Sequence, residues 1–73
     1  MPQRPTVNNS LHRLRRAGWT ASDVAYLSPT GTVVYFVSAH KNRVWVNAGG
    51  LTQEEAWDEA AQEAEALDWL EVG

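Results

Sequence analysis

Carboxylates crowd the end of this sequence: Glu54, Glu55, Asp58, Glu59, Glu63, Glu65, Asp68 and Glu71 all fall within eighteen residues, and the only other acid is Asp23. Every lysine and arginine lies at or before Arg43. Residues 1–43 thus carry six bases and one acid, or +5. Residues 44–73 carry eight acids and no base, or −8, and the sum is the formal net charge of −3. A row of this kind can recognise a positively charged partner through its field. Acid–base catalysis by paired carboxylates needs burial that drives their pKa values apart, which one solvated helix does not supply. An enzyme is not expected.

The second candidate cluster is His12-Arg13-x-Arg15-Arg16, which has the charge for phosphate contacts in a small nucleic-acid-binding regulator. Neither a recognition-helix pattern nor zinc spacing accompanies it, and the acidic second half would repel a duplex. His12 and His40 lack a second ligand at useful spacing, so no metal is expected. Ser10, Ser22, Ser28 and Ser38 lack a nucleophile-elbow context, and Ala48-Gly49-Gly50 is too short for a phosphate cradle. No cofactor is expected.

The elements that position these groups read as α-β-β-β-α. Residues 1–8 form an extended arm with two prolines. Residues 10–17 form a short helix capped by Asn9 or Ser10, with Leu11 and Leu14 on one face and Gly18 at its end. Residues 23–47 form a three-stranded antiparallel meander. Its turns are Ser28-Pro29-Thr30-Gly31, of type I, and His40-Lys41-Asn42. Thr32–Ser38 is almost wholly β-branched or aromatic, and Val33–Val37 is apolar on both sides, as in a central strand with one face under a helix. A helix over Thr20–Leu27 is the alternative for the first strand. Ala48-Gly49-Gly50 breaks the strand pattern, and a long helix over 52–70 opens with a capping box of Thr52 and Glu55.

At roughly 100° per residue, Ala56, Trp57, Ala60, Ala61, Ala64 and Leu67 share the inner face of that helix. Small residues allow close approach to the sheet, with Trp57 filling the gap over Tyr35 or Val37. Glu54, Asp58 and Glu65 form one outer stripe, Glu55 and Glu59 a second, and Glu63 and Asp68 flank the apolar face. Glu54 and Glu55 suit the positive helix end, whereas Glu63, Glu65, Asp68 and Glu71 lie toward the end where acids are disfavoured. Three uses remain open for these acids: a solvated face, a recognition surface, or pairing with the N-terminal arginines. Trp69 falls among the acids, either folded back or exposed as an anchor.

A chain of 73 residues without cysteine has room for one domain with one small core and no disulfide. Trp19, Trp45, Trp57 and Trp69 are the natural substitute, since each aromatic buries roughly 150–250 Å². Dimerisation is another source of buried area, so a monomer or weak homodimer is expected. No apolar leader and no membrane span is evident, and a cytoplasmic location follows as an expectation.

In its small size, charge layout, lack of cysteine and lack of a catalytic motif, the chain resembles the phage-encoded anti-CRISPR proteins; no family residue is carried over. The resemblance implies a cytoplasmic inhibitor in a bacterial host cell that docks on the basic, nucleic-acid-receiving surface of a CRISPR effector complex. Acidic side chains would stand in for phosphates as a DNA mimic. The partner-binding candidates are then Glu54, Glu55, Asp58, Glu59, Glu63, Glu65, Asp68 and Trp69. His12, Arg13, Arg15 and Arg16 serve the rival nucleic-acid reading, and a small structural or assembly protein is the third possibility.

Overall fold

The structure, a computed structural model, describes the backbone of residues 6–72 and the side chains of residues 6–68. The chain is an α+β domain ordered α1 (Val7–Arg16), β1 (Thr20–Leu27), β2 (Val33–Lys41), β3 (Val44–Gly50) and α2 (Gln53–Val72). The strands form an antiparallel sheet in the order β1-β2-β3. Helix α2 packs on β2 and β3, and α1 lies against α2 and β1. The smallest Cα dimension, 16 Å, accommodates one helical layer on one sheet.

Helix α1 starts earlier than the expected residue 10. Its cap is Thr6, whose hydroxyl accepts from the Asn9 amide at 3.1 Å, not Asn9 or Ser10. The reason is apolar spacing: Val7, Leu11 and Leu14 at i, i+4 and i+7 extend the inward stripe by one turn. The arm expected over residues 1–8 therefore ends at Thr6, and its first five residues lie outside those described. At the other end, the Gly18 amide donates to the Arg15 carbonyl at 3.0 Å and the Trp19 amide to the Leu14 carbonyl at 2.9 Å. This Schellman turn needs a residue at positive φ, and Gly18 sits at +90°. It directs Trp19 into the core beside Leu14.

Thr20–Leu27 is a strand, so the helical alternative does not form. The turn at Ser28–Gly31 closes with the Gly31 amide on the Ser28 carbonyl at 2.9 Å. The polar turn expected at His40-Lys41-Asn42 is instead the two-residue loop Asn42-Arg43, with Lys41 paired to Val44 and Asn42 at φ 57°. Gly49 and Gly50 do not break β3 but complete it. A Cβ on Gly50 would stand 2.9 Å from the Ala56 amide nitrogen, so the bare strand is what lets α2 start so close. Gly49 pairs with Phe36, whose ring comes within 3.2 Å of where a Cβ would stand.

The core is small. Ala56, Ala60, Ala61 and Ala64 of α2 are buried with Val37, Ala39, Val46 and Ala48 of the sheet, joined by Leu14, Trp19 and Trp57. Ser10 is fully buried, and its hydroxyl has no hydrogen-bond partner among the described residues.

This packing sets the outcome of three substitutions. Gly50→Ala forces backbone to move and should lower stability by about 1–3 kcal/mol. Gly49→Ala presses on the half-exposed Phe36 ring rather than on backbone and should cost less than about 1 kcal/mol. Ser10→Ala removes an unpaired buried hydroxyl and should raise stability by about 1 kcal/mol. Urea unfolding midpoints measure all three, and a Ser10→Ala variant weaker than wild type would reveal a bond the hydroxyl makes.

Candidate functional site

The acidic helix begins with the expected cap. The Glu55 amide donates to the Thr52 hydroxyl at 3.1 Å, and the Glu55 carboxylate accepts from the Leu51 amide at 3.3 Å. The reciprocal bond thus reaches one residue further back than in the usual box.

The carboxylates of α2 then divide into two groups. Arg13 of α1 is held between two of them: its Nε lies 2.6 Å from Glu65 Oε1 and its Nη1 3.1 Å from Asp58 Oδ1. Gln62 donates to the second oxygen of Asp58 at 2.7 Å. The Glu65 hydrogen bond, more than that to Asp58, holds the Arg13 pKa above its ordinary value against the opposing effect of burial. Arg13 stays charged at any accessible pH.

Asp68 occupies the second polar joint. One carboxylate oxygen accepts from Lys41 Nζ at 2.8 Å and the other from Trp19 Nε1 at 3.1 Å. Lys41 Nζ also lies 5.7 Å from the centre of the Trp19 ring. The Lys41 hydrogen bond chiefly, and that of Trp19 after it, holds the Asp68 carboxyl below the usual carboxylate range although partial burial pushes the other way. A third joint ties α2 to β1, where Asp23 Oδ2 accepts from Gln53 Nε2 at 2.9 Å and Trp57 Nε1 at 3.3 Å.

The remaining acids form the second group. Among the described residues, Glu54, Glu59 and Glu63 have no ion-pair partner, and Glu55 makes only its capping contact. All four are exposed. Glu55, Glu59 and Glu63 repeat at i, i+4 and i+8, and at roughly 100° per residue Glu59 and Glu63 fall on the flank of α2 turned away from Arg13.

The expected site is therefore split. The stripe of Asp58 and Glu65 faces α1 and is neutralised there, and Asp68 is drawn into the core margin. Of the basic candidates, His12, Arg15 and Arg16 are exposed on α1, while Arg13 is committed to the seam. The side chain of Trp69 lies outside the described residues. Sequence reading missed Asp23 and Lys41, which are distant in sequence from their partners and carry no local signal. The far side of the sheet, where Val33–Val37 is apolar in both directions, enters the sequence reading only as a dimer surface for an assembly protein.

No helix among the described residues is long and apolar enough to cross a membrane. No protein-family model, curated protein or solved structure matches the chain.

The Asp68 joint yields a pH prediction. A carboxyl whose folded pKa is depressed adds stability that is complete above its unfolded value of about 3.9 and fades as pH falls through the folded value. Asp68→Asn keeps an acceptor for Trp19 but loses the ion pair. The melting temperature of wild type should exceed that of Asp68→Asn at pH 7, with the gap narrowing below about pH 4. A gap that circular dichroism finds constant from pH 7 to 3 would assign the difference to packing.

Proposed function

We propose that the protein is a non-enzymatic binding protein that inhibits a nucleic-acid-binding effector complex. In this reading the unpaired flank of α2 occupies a site lined by lysine and arginine. The supporting observation is the division of the acids. Pairing within the fold accounts for Asp58, Glu65 and Asp68 but leaves Glu54, Glu55, Glu59 and Glu63 exposed on a helix without one base. A surface serving solubility alone would mix signs.

The spacing suits a groove built for phosphates. Residues four apart on a helix advance about 6 Å, against one charge per about 3.4 Å along a nucleic-acid strand. The ridge supplies roughly half that linear charge density on a rigid support. Such a contact draws on the basic residues that normally release counterions from nucleic acid, so the two ligands exclude one another. Inhibition is then stoichiometric occlusion, as in the anti-CRISPR proteins that the chain resembles. The rival reading as a nucleic-acid binder is weakened because Arg13 is already neutralised, and α1 lies beside a carboxylate-rich helix.

The test is a pull-down from bacterial lysate at low and moderate salt. Wild type should retain a nucleic-acid-handling complex that added duplex DNA displaces. Glu55/Glu59/Glu63→Gln should lose it, with retention down at least tenfold. Equal retention by both proteins, or a bound complex indifferent to DNA, would overturn the proposal.

A further inference from the structure

Among the described residues, nothing covers the side of the sheet opposite the helices. By strand register, its outward rows are Tyr26 with Val34, Val24 with Phe36 and Gly49, Ser22 with Ser38 and Asn47, and Thr20 with His40 and Trp45. An antiparallel sheet with one solvated face ordinarily alternates apolar-in and polar-out. Here the outward positions include three aromatics and two valines. Val24 is 61% exposed, Tyr26 55%, Phe36 44% and Trp45 62%. Trp45 stacks against His40 with ring centroids 4.6 Å apart.

None of these eleven outward residues is a carboxylate, lysine or arginine. Asp23, the one acid of β1, points to the helical layer, where Trp57 and Gln53 bind it. An aromatic-rich patch depleted in charge has the composition of an interface core. The chain's acids sit on the opposite layer.

We infer that this face is the interface between two copies of the chain, packed sheet against sheet about a two-fold axis. Three observations select a second copy as the occupant. The face carries no carboxylate, lysine or arginine and has both apolar and hydrogen-bonding rows, so a two-fold axis can bring it against itself without opposing like charges. Taking about 200 Å² per aromatic, the exposed parts of Tyr26, Phe36 and Trp45 amount to about 300 Å², and the valines bring the apolar total to about 400 Å² per copy. Two faces bring about 800 Å² of apolar surface, and the polar row Ser22, Ser38 and Asn47 carries the total toward the ~1,200 Å² at which stable interfaces begin.

Charge supplies the third observation. Sheets pack about 10 Å apart and each helix layer adds about 10 Å. The two acidic helices would stand about 30 Å apart, several times the ~8 Å Debye length. Two chains of net charge −3 can therefore meet on this face without significant repulsion. The proposed acidic ridges remain outside and available, one on each copy. This inference is independent of what those ridges bind.

Sedimentation equilibrium on the purified chain provides the test, from low micromolar to millimolar concentration at moderate salt. The expected result is a species of twice the 8.1 kDa chain mass, largely insensitive to salt. Val24→Asp on β1 and Trp45→Asp on β3 should each raise the dimer dissociation constant about 100-fold by placing a charge in each half of the interface. Both sites are more than half exposed, and circular dichroism verifies that each variant retains its secondary structure. A monomer at every concentration would overturn the inference. A dimer that survives both substitutions would do so too, and loss in one variant alone would mark pairing at that strand's edge. No partner protein enters this measurement, so it fails or succeeds separately from the pull-down.

Discussion

The close approach of α2 to the sheet is the constraint on which the rest of the molecule depends. A row of alanines faces Val37, Ala39, Val46 and Ala48, and Gly50 admits the first turn of the helix. Interfaces built of such small side chains bury little area per residue, and their advantage lies in contact density. Trp19 and Trp57 supply the bulk that the alanines lack. Each indole N–H must then find an acceptor within the core margin. Asp68 and Asp23 provide them, so two of the nine carboxylates are consequences of the packing itself.

The same geometry explains acids that helix electrostatics alone would disfavour. Glu65 and Asp68 lie in the half of α2 nearer its negative end, where carboxylates lose energy to the dipole. Arg13 and Lys41 reach them from α1 and β2 and reverse that sign locally. Exposed ion pairs contribute little individually, about 0–1 kcal/mol. Here they matter more for orientation, because Arg13 sets α1 against α2 and Lys41 sets α2 against β2. Glu59 and Glu63 receive no such compensation among the described residues, and this contrast distinguishes acids that serve the fold from acids free to serve a partner.

Much of this architecture was legible because its signals are local. The Thr52–Glu55 cap, the alanine face, Gly18 at the helix end and the Pro29–Gly31 turn all depend on residues within a few positions of each other. The errors share an opposite cause. Gly49 and Gly50 look like a strand breaker until the helix above Gly50 and the Phe36 ring beside Gly49 are known. Thr6 was passed over as a cap because Val7 was not counted with Leu11 and Leu14. The division of the carboxylates was out of reach, since Arg13 meets Glu65 across 52 positions and Trp19 meets Asp68 across 49.

Those separations bear on the order in which the chain can assemble. The first helix leaves the ribosome with Arg13, Leu14 and Trp19 close behind, but Glu65 and Asp68 follow some fifty positions later. Closing a loop of about 50 residues costs some 3–4 kcal/mol of chain entropy, and only the completed second helix offers contacts enough to offset it. The local hairpins can form earlier. Helix α2 therefore acts as a latch on the segments before it, and a chain that stops short of Asp68 would leave the indole of Trp19 without its acceptor.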